Sequence, residues 1–99
     1  MEPNEDLKAL DRSKSIAVTS TLVLAPNAYR VWSSFVNCGT TVVCLRLGEA
    51  AVLDTGICLT ANGGAATIDR VNMPWLGEVN AIATTAPCLL AVTEVERRH

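Results

Sequence analysis

Between Ser15 and Thr93 this chain of 99 residues has no lysine, and only seven of its 18 charged side chains. Seven others crowd into the first fourteen residues (Glu2, Glu5, Asp6, Lys8, Asp11, Arg12, Lys14) and four into the last six (Glu94, Glu96, Arg97, Arg98). A monomer of this size normally stays dispersed by covering itself with Lys, Glu, Arg and Asp, so a body this poor in charge predicts contact with other protein. The net charge is −2 and the body has no basic cluster, which excludes phosphate-backbone binding; no nucleic acid partner is expected. No unbroken apolar run approaches the roughly 18 residues of a membrane helix. No membrane partner is expected, although 49% of the residues are hydrophobic.

Other absences narrow the chemistry. His99 is the single histidine and ends the chain, so a Ser-His-Asp or Cys-His arrangement would need a frayed terminus as its base. Cys38, Cys44, Cys58 and Cys88 lie at intervals of 6, 14 and 30 with no Cys-x-x-Cys pair, which argues against zinc. Asn62-Gly63-Gly64 is glycine-rich, but no helix or lysine follows to cradle a phosphate. No metal, cofactor or catalytic residue is expected. A secretory signal is disfavoured as well, because the segment before Ile16 is net acidic and Thr19, Ser20 and Thr21 interrupt the apolar run. The four cysteines are accordingly expected to be buried thiols filling small apolar spaces.

What is present reads as strands. Ser15 to Leu24, Tyr29 to Asn37 and Thr41 to Leu47 are rich in Val, Thr, Ile and Leu, and each ends at a turn signal. Shorter strands are expected at Ala51 to Leu53, Ile57 to Leu59, Ala65 to Arg70, Glu78 to Thr84 and Cys88 to Val95. Only Asn4 to Leu10 could form a helical turn, too short to stand alone. The pattern predicts an all-β protein: a small antiparallel β-sandwich, jelly-roll-like, with an extended N-terminal arm. Its divisions are an arm over 1–14, a sandwich over 15–95 and a tail over 96–99.

Taken at period two, Val31, Ser33 and Phe35 share one face of the second strand, and Trp32, Ser34 and Val36 the other. Val43, Leu45 and Leu47 alternate with Val42, Cys44 and Arg46 in the next. A strand apolar on both faces needs cover on both. The second cover is either another protein or a loop of the same chain. Contact residues for self-association or a larger partner are expected among Trp32 and Val36, with Tyr29 and Arg30 at the rim, Met73 and Trp75 in a loop, and Leu7 and Leu10 in the arm. Val52-Leu53-Asp54-Thr55-Gly56 matches the signature of retroviral-type aspartic proteases over those five residues alone. Asp54 lies past the middle of the chain and Ile68-Asp69-Arg70 lacks the glycine of that family's supporting stretch, so a strand-to-strand turn is the favoured reading.

Pro26-Asn27 followed by Arg30-Val31, then Asn37 and Gly39, Leu47-Gly48, Thr55-Gly56-Ile57-Cys58-Leu59, Ala61-Asn62-Gly63-Gly64, Gly77-Glu78-Val79-Asn80-Ala81-Ile82 and Leu90-Ala91-Val92-Thr93-Glu94 together resemble the small structural proteins of tailed bacteriophages. The resemblance runs from about Pro26 to Glu94 and carries no catalytic signature. It implies a capsid decoration or cement protein on the virion surface, made in the bacterial cytoplasm, with the major capsid protein and its own copies as partners, commonly as a trimer. The alternative it leaves is a tail or fibre module that binds a receptor, for which four aromatic residues are thin material. An arm of fourteen residues would reach about 45 Å if extended, far enough to lie across a neighbouring shell subunit.

Overall fold

Short runs of β-branched and apolar residues, each stopped by Gly, Pro or Asn, cannot bury themselves singly and must pair. In the computed structural model, which describes residues 7–69 and 74–97, they do so as nine strands. These are β1 (Leu7–Asp11), β2 (Lys14–Ile16), β3 (Thr21–Leu24), β4 (Arg30–Asn37), β5 (Val43–Leu47), β6 (Ile57–Leu59), β7 (Ala65–Asp69), β8 (Val79–Ala83) and β9 (Cys88–Arg97). All pairings are antiparallel, and no helix occurs among the described residues. One sheet, sheet A, has the order β1-β9-β4-β7 with β2 also on β9; the other, sheet B, has the order β3-β8-β5-β6. The pairs β2–β9, β3–β8, β4–β7 and β5–β6 are those of one long hairpin wrapped around itself, which is the jelly-roll form of a sandwich.

Between the sheets lie Ile16, Leu24, Phe35, Val43, Leu45, Ile68, Val79, Leu90 and Val92, all buried. They come from alternate positions of each strand, so period two decides the core. Burying side chains of this size contributes roughly 1.5–3 kcal/mol each.

Several expectations need correction. Ser15 to Leu24 is two strands in different sheets, because the chain crosses over at Ala17 to Ser20, where Ala17 N–H donates to Thr21 Oγ1 and Ala17 C=O accepts from Ala83 N–H. The pairing of β4 with β9 shifts between Arg30 and Trp32, so Val31 is an extra residue and Arg30, not Val31, shares the inner face with Ser33 and Phe35. Ala51 to Leu53 is loop rather than strand. Leu7 to Leu10 is extended, not helical, because β1 finds a ladder partner in Asp11↔Thr93 through Leu7↔Arg97. From Leu7 onward the charged leader therefore lies on sheet A, and β9 runs on to Arg97 through the start of the expected tail. Cys44 and Cys58 are joined by a disulfide, not held as thiols: they face each other across β5 and β6, with Cα atoms 3.9 Å apart. Cys38 and Cys88 are free.

Candidate self-association surface

The two sheets treat their outer faces differently. On sheet B the outward residues Cys44, Arg46, Asn80 and Ile82 are roofed by the segment after β5. Ala51 packs on Cys44 and Ile82, its N–H donates to Ser20 Oγ, and Asn80 Nδ2 donates to Glu49 C=O and to Glu78 Oε2. The middle of that face, at Cys44 and Ile82, is covered within the chain, while Leu22 at its edge is 48% exposed and the covering loop presents Val52 and Leu53 to solvent.

Sheet A has no such roof among the described residues. Register places Trp32, Ser34 and Val36 of β4 beside Val95, Thr93 and Ala91 of β9, with Asp69, Thr67 and Ala65 of β7 on one flank and Ala9 of β1 on the other. The middle of this face is uncharged. Asp11, Asp69 and Arg97 stand at its perimeter. Trp32 is 37% exposed, and Leu89, 51% exposed, points the same way from the far end of β9.

One end of the sandwich is polar inside. Glu94 and Glu96 of β9 point inward where apolar residues would be expected, and both are buried. Arg30 answers them: its Nε donates to Glu94 Oε2 at 2.7 Å, Nη1 to Gly77 C=O at 2.9 Å and Nη2 to Ala25 C=O at 2.7 Å. Arg12 Nε holds the other oxygen of Glu94 at 3.2 Å, and Asn27 Nδ2 donates to Glu96 Oε1. Beside this cluster a cleft of about 450 Å³ opens between β1–β2 and β3, lined among others by Asp11, Arg12, Lys14, Leu22 and Glu94. Its charged groups are already engaged. Lys14 Nζ donates to Leu22 C=O, and Asp11 accepts from the Ser13 hydroxyl and N–H, which hold its carboxyl below the usual aspartate range. No group of three metal-ligating side chains occurs among the described residues.

The aspartic-protease motif is a turn. Asp54 and Gly56 adopt φ of 64° and 78°, Thr55 Oγ1 donates to Val52 C=O, and a Cβ on Gly56 would strike Leu45 C=O. A second turn explains Asn37: its Nδ2 donates to Thr41 and Leu59 carbonyls, and its Oδ1 accepts from Gly39 N–H.

Of the expected contact residues, Tyr29 (51%) and Trp32 are exposed and Val36 is half-buried on the outer face of sheet A. Leu7 lies on that face opposite Arg97, whereas Leu10 is paired with inward-facing Glu94. Arg30 is 2% exposed and belongs to the interior cluster, so it offers nothing to a partner. Trp75 is half-buried against the core, with Nε1 donating to Glu78 C=O. Met73 lies outside the described residues. Leu89 was missed by the sequence reading, although its alternation with Cys88 and Leu90 carried the signal.

No family model and no curated protein matches the chain. A solved structure that does match comes from work described as "Bacillus endospore appendages form a novel family of disulfide-linked pili", with 16% identity over 94% of this chain and 88% of that one, and a TM-score of 0.49. At that level the likeness carries no functional argument. The expectation of a phage capsid decoration protein is withdrawn: no family model and no curated protein supports a virion component, and the solved structure that matches comes from work on pili. The major capsid protein as partner and the virion as location fall with it. The reason lies in the residues that carried the resemblance. Arg30, Asn37, Gly39 and Gly56 serve the interior cluster and the turns of this sandwich, so they report architecture and not where the protein works.

Proposed function

We propose that the chain is a structural, non-enzymatic β-sandwich subunit that associates with copies of itself through sheet A. The observation that carries this reading is the contrast between the middles of the two outer faces: on sheet B, Cys44 and Ile82 lie under the chain's own loop, and sheet A presents an uncharged field around Ser34, Thr93 and Val95. Water over such a field is released when a second apolar surface covers it. The charge-poor body supports the same reading, as does the engagement of the polar groups at the cleft by one another.

Light scattering over a wide concentration range tests it. The wild-type chain is expected to exceed the mass of one copy, and Thr93→Lys, which puts a charge in the middle of the field, to return it toward that mass. A wild-type protein that stays monomeric at millimolar concentration would refute the proposal. The stoichiometry read in the same experiment separates a closed oligomer from an open filament.

A further inference from the structure

We infer that two copies join edge to edge through β7, in an antiparallel β7–β7 ladder that makes their two A sheets continuous. The inference rests on the self-association proposed above and names its edge and its symmetry.

Unpaired sheet edges template the addition of further strands, and proteins that stay separate guard them with charge, bulges or shortness. Three of the four edges here are guarded. The β1–β2 edge is broken between its two strands and carries Lys8, Asp11 and Lys14. On β3 the register shifts between Leu22 and Leu24, and Lys14 Nζ occupies the Leu22 carbonyl. β6 has three residues and is tied to β5 by the disulfide. β7 is different. Ala65-Ala66-Thr67-Ile68-Asp69 carries a single charge, at its last residue, has no proline, pairs with Trp32 to Val36 without a register shift, and has a strand neighbour on one side only among the described residues.

The ladder says which atoms are offered. Asn37 N–H donates to Gly64 C=O and Gly63 N–H to Asn37 C=O, so the alternation of an antiparallel pair gives the next bonds to Ala66 and Ile68. The N–H and C=O of Ala65 and Thr67 then point away from β4. Because no second edge among the described residues is open in this way, the partner edge is β7 of another copy, and the contact closes on itself about a two-fold axis. An axis at Thr67 sets each Ala65 opposite the other copy's Asp69. The two Asp69 carboxylates then lie roughly 13 Å apart, beyond the screening length of about 8 Å at physiological salt.

Area argues the same way. Four strand rows by the seven residues from Leu89 to Val95 make the outer face of sheet A about 19 by 23 Å, a footprint of roughly 440 Å² against the roughly 800 Å² that each partner gives to a stable complex. Joining two copies at β7 keeps both outer faces on the same side and doubles that field.

The test compares wild type, Thr67→Pro and Thr67→Val by light scattering, with far-UV circular dichroism as the check of folding. Thr67→Pro removes the outward N–H and leaves the β4 ladder intact; its association constant is expected to fall about tenfold or more, whereas Thr67→Val, which keeps the N–H, should associate as wild type does. Wild-type-like association of a folded Thr67→Pro protein would overturn the β7 contact and leave self-association standing. A wild type that is monomeric throughout would remove both. Should Thr67→Pro fail to fold, hydrogen exchange on the wild type decides: the amides of Ala65 and Thr67 are expected to gain protection as concentration rises, and exchange independent of concentration overturns the contact.

Discussion

Replacing Arg30 with methionine should be among the most damaging single changes outside the apolar core. The guanidinium sits 2% exposed and ties together three parts of the chain: Glu94 on β9, Ala25 before β4, and Gly77 in the segment leading to β8. Methionine fills much of the volume but donates nothing. It leaves Glu94 with Arg12 alone and removes the Arg30 donor from the Ala25 and Gly77 carbonyls, whose hydrogen bonds are part-buried. Removing one member of a buried ion pair costs about 3–5 kcal/mol. With about 4–8 °C of melting temperature per kcal/mol in a domain of this size, the expected loss is about 12–40 °C. Urea unfolding followed by tryptophan fluorescence reads it, since Trp75 packs beside the cluster. Adding Glu94→Leu to Arg30→Met should recover part of the loss, because the stranded carboxylate is gone, but not the part due to Ala25 and Gly77. An Arg30→Met protein within about 1 kcal/mol of wild type would show that the cluster is incidental to the fold and that the inward-facing glutamates are held by other means.

Thiol chemistry should follow burial: iodoacetamide is expected to modify Cys38 in the native protein and Cys88 only on unfolding, and labelling of Cys88 at the same rate as Cys38 would contradict its placement between the sheets. Reducing the Cys44–Cys58 bond, which closes a loop of 14 residues, should lower stability by about 3 kcal/mol without dissolving the fold. Gly39→Ala is expected to cost about 1–3 kcal/mol in urea unfolding, because the new methyl meets Cys88 Sγ and, at 3.2 Å, the Cys88 Cα and Leu89 N. The hydroxyl of Ser33 is buried with no partner, so Ser33→Ala should be neutral or stabilising by about 1 kcal/mol; a clear loss would mean the hydroxyl is satisfied in solution. Asp11, held low by Ser13, contributes stability above the unfolded-state value that disappears as pH falls through the folded one, and its NMR titration midpoint should rise toward the ordinary value in Ser13→Ala.

Sheets A and B also show how a small domain can lay its own loop over one outer face and not over the other. The loop after β5 is long enough to fold back over Cys44 and Ile82, and Ser20 and Asn80 pin its backbone there. The connections around β4, β7 and β9 cross at the ends of the sandwich and lay nothing over Ser34 or Thr93 among the described residues. Of the two expected covers, a loop of the same chain is what β5 received, and the outer face of β4 has no such cover among the described residues.

Alternation and turn chemistry alone determined that this is an antiparallel sandwich, because side-chain period two and the placing of Gly, Pro and Asn are local properties of the chain. The same local rules marked Trp32 and Val36 as belonging to a face away from Phe35, and identified Asp54-Thr55-Gly56 as a turn. They could not reveal that Arg30 is interior, since a bulge at Val31 inverts the alternation and only the pairing with β9 produces it. Nor could they match Cys44 to Cys58, which depends on β5 and β6 standing in register, or separate the roofed face from the bare one, which depends on where a loop lands. Register and loop placement bring together residues far apart in sequence, and contacts of that kind are decided by the assembled fold.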